Sequence, residues 1–204
     1  IELVSGLHSD ARRLDLDENM VTVLEHNGGG VEAAQVSRAN YERARDAFGP
    51  THIYTLSVAS SFGMLLVSAG KAAEGIELME QVAAERERQL GPEHDHTLYA
   101  KEQLLVCKRH AGQTDNFVEG MRQLLAIRER KDGPTSARTF ESKILLASGM
   151  REAGRYREAL PLYQALVAAN PANQTFAQIV VVLQRRFQAT FRNGLTPEGQ
   201  PCIQ

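Results

Sequence analysis

The chain has 204 residues, 43% hydrophobic and 24% charged, with a net charge of -2, which is ordinary soluble composition with room for one or two compact domains or one solenoid. Its longest apolar run, Ile179 to Leu183, holds five residues against the ~20 of a membrane-spanning helix, so no membrane partner is expected. A pI near 6.3, with no aromatics interleaved among the basic residues, speaks against a nucleic-acid partner.

The elements repeat along the chain. Gly49-Pro50, Gly91-Pro92 and Gly133-Pro134 are spaced by 42 residues, as are Thr55-Leu56, Thr97-Leu98 and Thr139-Phe140, and again Gly70, Gly112 and Gly154. Three markers sharing one period signify a repeat architecture, and with low aromatic content and abundant Ala, Leu, Glu and Arg the repeats read as helical. Residues 7–48 form a degenerate first repeat, in which Asn27-Gly28-Gly29-Gly30 stands one period before Gly70 as a helix break. Residues 49–90, 91–132 and 133–171 form three further repeats, broken between their two helices at Gly70, Gly112 and Gly154.

The third repeat shows the plan. Thr97 is the expected N-cap of its first helix, since a hydroxyl accepts from the free amides of a first turn. Leu98, Leu104, Leu105 and Cys107 then supply the apolar face. Gly112 ends that helix, because glycine takes the left-handed conformation needed just past a helix terminus. The second helix runs from about Asp115, burying Phe117, Met121, Leu124, Leu125 and Ile127. Its charged end, Arg128-Glu129-Arg130-Lys131, suits the negative pole of the helix dipole, and Gly133-Pro134 stops it. A terminal helix over about 173–192, with Phe176, Ile179, Val180, Leu183, Phe187 and Phe191 at helical spacing, is expected to cap the last repeat. One solenoid over 1–192 and an irregular tail over 193–204 complete the expected organisation.

The stretch Gly154-Arg155-Tyr156-Arg157-Glu158-Ala159, followed by Tyr163 and Pro171, resembles the second half of a tetratricopeptide repeat (TPR). That repeat is ordinarily 34 residues long. The 42-residue period here, with Leu90-Gly91-Pro92-Glu93-His94 and Thr97-Leu98, is similar to the longer repeats of kinesin light chains. The resemblance covers about residues 10–190 and implies an all-α, right-handed superhelix of about four helix–turn–helix repeats plus a C-terminal capping helix. Phe117 departs from the pattern, standing where the family places a small residue for close helix packing; in the second repeat Gly75 holds that place, and Gly63 is a second glycine that matches the pattern.

The resemblance further implies a non-enzymatic scaffold whose concave groove, lined by the first helix of each repeat, binds a peptide segment of a partner protein. The groove positions are Ser57, Ser60, Ser61, Met64 and Val67; Tyr99, Glu102, Gln103, Val106 and Arg109; Glu141, Ile144, Leu145, Ser148 and Arg151; and Gln178, Val182 and Arg185. Arg109, Arg151 and Arg185 form one column, headed by Glu25 and Val67, and each guanidinium offers a planar fork for a carboxylate or phosphate, so an acidic partner is expected. The same column lies near helix ends, where the dipole alone favours Arg. The family's Lys/Asn/Arg clamp for a C-terminal carboxylate is absent, its places being held by residues such as Ser60, Met64, Gln103 and Leu145.

No nucleophile–base–acid order, phosphate loop or metal pattern supports an enzyme or a cofactor. His94 and His96 in the inter-repeat loop fall short of the four ligands of a closed zinc site, and the resemblance makes His94 structural. Cys107 and Cys202 fit neither a disulfide framework nor a zinc motif, so a reduced, cytoplasmic setting is expected. The chain begins with Ile1 rather than Met, which agrees with a piece of a longer protein; a regulatory or sensor region of a larger signalling ATPase is the alternative function. Charge is uneven: residues 1–48 carry nine acids against five bases, and residues 133–204 four acids against eight bases.

Overall fold

The computed structural model describes residues 30–192, and among these it holds eight helices and no strands. They are α1 (Gly30–Phe48), α2 (Ile53–Ser68), α3 (Ala72–Leu90), α4 (Asp95–His110), α5 (Thr114–Asp132), α6 (Ala137–Glu152), α7 (Tyr156–Ala169) and α8 (Gln174–Arg192). None is long and apolar enough to cross a membrane. The earlier part of the first repeat, with Glu25, Gly28 and Gly29, lies outside the described residues, as do the tail and Cys202; so do the side chains of Phe187 and Phe191.

Every described glycine with positive φ falls into one series: Gly49, Gly70, Gly91, Gly112, Gly133 and Gly154, with φ between 74° and 90°. A left-handed residue thus recurs every 21 positions, twice per repeat. At none of the six would an added Cβ meet another atom within 4 Å, so the backbone angle alone demands glycine there.

The starts of the first helices follow the period with a different chemistry from the one expected. Thr97 is not the cap. His94 occupies the N-cap position of α4, its Nδ1 accepting from the His96 amide at 3.2 Å. His52 caps α2 in the same way, through the Tyr54 amide, and Ser136 caps α6 through Thr139. Thr97 lies inside α4, fully buried, and donates through Oγ1 to the Arg86 carbonyl at 3.1 Å; Thr55 donates likewise to the Ala44 carbonyl at 3.1 Å. Each threonine therefore ties a first helix to the second helix before it. A hydroxyl with a buried carbonyl in reach satisfies both groups, and the ring nitrogen three positions earlier is left to cap the helix.

The chain divides into two compact units, Ile1–Gly112 and Gln113–Gln204. In the first, α1 to α4 pack consecutively and α2 also touches α4. Leu56, Ala59, Val82, Ala83 and Ala100 form one of its buried clusters, with Tyr41, Leu78 and Leu104 against it. Gly63 and Gly75 let α2 and α3 meet backbone to backbone: a Cβ at Gly75 would stand 2.5 Å from the Gly63 carbonyl oxygen. Cys107 is buried in this unit, and burial pushes its thiol pKa up.

In the second unit α5, α6, α7 and α8 pack in sequence. Phe117, the residue that departs from the small-residue pattern, is fully buried, and Gly149 on α6 makes the room: a Cβ there would overlap the Phe117 ring. The large side chain is accommodated by a small one on the following helix. Phe176 and Leu183 of α8 are buried, and Phe176 sets its ring 6.4 Å from Phe140 and 6.3 Å from Tyr163.

Candidate functional site

In the first unit the exposed side of α2 carries Ser57, Ser61 and Met64, with Val67 half-buried; Ser60 is buried and its hydroxyl donates to the Leu56 carbonyl at 2.9 Å. On α4, Tyr99 is exposed, Gln103, Val106 and Arg109 are half-buried, and Glu102 is buried. In the second unit Glu141 and Arg151 are exposed on α6 while Ile144, Leu145 and Ser148 are half-buried; Gln178, Val182 and Arg185 are exposed on α8. Arg109 and Arg151 each stand fourteen residues beyond the start of their helix, but Arg185 stands only eleven beyond Gln174, one turn earlier.

One residue at this surface was not among the expected positions. Arg86, on α3, is 5% exposed and passes between the first helices of two repeats. Its Nη2 donates to Ser57 Oγ at 3.2 Å and its Nη1 to the His96 carbonyl at 3.3 Å, while its Nε is buried with no hydrogen-bond partner among the described residues. Ser57 and Tyr99, which are one period apart, flank it on α2 and α4, and burial lowers the Arg86 pKa, opposed by the charge interaction with Tyr99. No carboxylate among the described residues pairs with Arg86. A buried cation without a counter-ion is costly, and an orphaned donor adds to that cost.

The signal that could have found Arg86 is the period itself, because Arg128 stands 42 residues on. Arg128 is also 5% exposed and hydrogen-bonds Ser142 and the Arg138 carbonyl, so it is not part of a solvated helix end as its charged neighbours suggested. Within runs such as Glu85-Arg86-Glu87-Arg88, composition alone does not distinguish the buried arginine from the exposed ones.

Two clefts lie at equivalent places in the second and fourth repeats, where the start of the first helix meets the end of the second. One, of about 220 Å³, is walled by Pro50, Leu56, Val82 and Glu85. The other, of about 710 Å³, is walled by Pro134, Phe140, Leu166 and Ala169.

No protein-family model matches the chain, and no match is found among curated proteins. Among solved structures it is similar to the nearly identical TPR-like repeats of a kinesin-light-chain candidate from Podosopora anserina, at 21% identity and a TM-score of 0.68, over 86% of this chain and 97% of that one. It is also similar to BtubC (BKLC) from P. vanneervenii, at 14% identity and 0.64, over 93% and 84% of the two chains. A MamA RS-1 double mutant follows at 14% identity and 0.58, over 86% and 85%. The fold is that of kinesin-light-chain-like TPR repeats.

Proposed function

We propose that this chain is a non-enzymatic protein-interaction scaffold that takes an acidic segment of a partner protein across the exposed side of α2 and α4. The observation that carries the reading is Arg86: a buried guanidinium with an orphaned Nε and, among the described residues, no carboxylate of its own, opening between Ser57 and Tyr99. A partner carboxylate there would supply the missing counter-ion, and a charge-assisted hydrogen bond is about twice as strong as a neutral one. Met64 offers an adaptable apolar contact on the same side of α2. Arg109 on α4 adds to the preference for acidic sequence, Arg151 and Arg185 give the second unit a like preference of its own, and the TPR-like neighbours favour a protein as the ligand.

A peptide array with matched acidic, neutral and basic sequences tests this. Acidic peptides are expected to bind, more weakly at high salt and more weakly still to Arg86→Gln. Charge reversal of Arg109, Arg151 and Arg185 to Glu is expected to reduce binding further. Binding that ignores peptide charge would sink the reading.

A further inference from the structure

Ser57 is exposed on α2, and its Oγ accepts from Arg86 Nη2 at 3.2 Å while donating to the Ile53 carbonyl at 3.0 Å. Ser61 is exposed one turn further along the same helix, yet among the described residues no arginine is hydrogen-bonded to it. Of these two hydroxyls only the Ser57 oxygen touches the guanidinium, and that guanidinium keeps a buried donor in reserve.

We propose that Ser57 is a phosphorylation site, and that its phosphate pairs with Arg86 and shuts the groove to an acidic partner. The donor is a nucleoside triphosphate on a protein kinase. Ser57 Oγ attacks the γ-phosphorus, the new O–P bond forms as the β–γ bridging bond breaks, the diphosphate leaves, and the hydroxyl proton passes to the kinase's base. The product carries about -1.5 to -2 charges and three strong acceptor oxygens, enough to engage both Nη2 and the orphaned Nε. Phosphate and partner carboxylate then compete for one cation. The effect on binding rests on the acidic-segment reading above; the pairing of phosphate with Arg86 does not.

The test places phosphoserine at position 57 or at position 61 of the otherwise native chain, so that Arg86 and the fold are left intact. Phosphorus NMR follows the second ionisation, which lies at about 6 for phosphoserine. A cation in hydrogen-bond contact lowers such a midpoint by about 1–3 units, so position 57 is expected to titrate about one unit below position 61. Equal midpoints overturn the pairing. In a second arm, a fluorescein-labelled Glu-Leu-Glu-Leu-Glu peptide is titrated into all three proteins, and at least tenfold weaker binding is expected for phosphoserine 57 than for phosphoserine 61. Equal weakening by both overturns the switch even where the pairing holds. Failure of the unmodified chain to bind this peptide removes the acidic-segment reading and the switch with it, leaving the NMR result to stand alone.

Discussion

The second and fourth repeats build the same cleft from matching positions, Pro50 and Pro134, Leu56 and Phe140, Val82 and Leu166, and finish it differently. In the second repeat α3 runs on to Leu90, and its last turn closes the cleft: Gln89 donates through Nε2 to the Thr51 carbonyl and to Glu85, both at 2.7 Å, and Glu85 pairs with Arg88. In the fourth, α7 stops at Ala169, which holds the place of Glu85. Asn173 holds the place of Gln89, but its Oδ1 caps α8, accepting from the Thr175 and Phe176 amides at 3.1 and 3.3 Å. Asn170 holds the place of Arg86. Shortening one helix by a turn therefore removes the polar lid and the buried cation together, and leaves a wider apolar cleft. The helix crossings differ too: the first unit joins Gly63 to Gly75 through bare backbone, whereas the second fits Phe117 against Gly149.

The largest expected effect breaks the second crossing. Phe117→Ala leaves a cavity where a fully buried ring stood and is expected to cost about 3–5 kcal/mol, read as a lower urea midpoint. Gly149→Ala is expected to cost about 1–3 kcal/mol through overpacking. Because both changes act on one contact, the Phe117→Ala, Gly149→Ala double variant should lose less than the sum of the two single losses; strict additivity would separate the two residues.

Gly75→Ala tests the first crossing. Its Cβ would press on the Gly63 carbonyl, an atom of the backbone that cannot swing away. A net loss of about 1–2 kcal/mol is expected after the helix-propensity gain of about 1 kcal/mol is set against the clash. A more stable variant by thermal unfolding would show that the helices separate freely.

Gln89→Ala sharpens the comparison of the clefts. Loss of the bond to the Thr51 carbonyl is expected to cost about 1 kcal/mol and to make the second repeat's cleft resemble the fourth's. Faster amide exchange at the start of α2 would report this, and unchanged exchange would mean the glutamine is not the lid.

The smallest effect is a pH dependence confined to the closed cleft. The hydrogen bond from Arg88, then that from Gln89 and the charge of Arg88, pull the Glu85 carboxyl down to about 2. A depressed carboxylate contributes stability above its unfolded value that fades as pH falls through the folded one, here between about 4.5 and 2. The melting-temperature difference between the native chain and Glu85→Gln should shrink across that window. A constant difference would place the coupling elsewhere.

Much of this was legible in the residues. The 42-residue spacing of Gly-Pro, Thr and Gly placed a glycine at six of the seven junctions between the described helices, because backbone demands of this kind are local. Cys107 and the apolar face of α5 could be assigned from helical spacing for the same reason. The caps were misread at Thr97: both a threonine and a histidine can serve a helix start, and the choice depends on the Arg86 carbonyl, which belongs to another helix.

The sequence by itself determined the repeat, its period and the all-helical class, since these follow from turn chemistry and periodicity within short windows. Only the tertiary structure decided which member of a charged run is buried, which glycine makes room for Phe117, and which hydroxyl meets Arg86. Each of those depends on a partner on another helix, from 10 residues away for Arg86 and His96 to 29 for Ser57 and Arg86 and beyond, and burial is a property of such meetings rather than of composition.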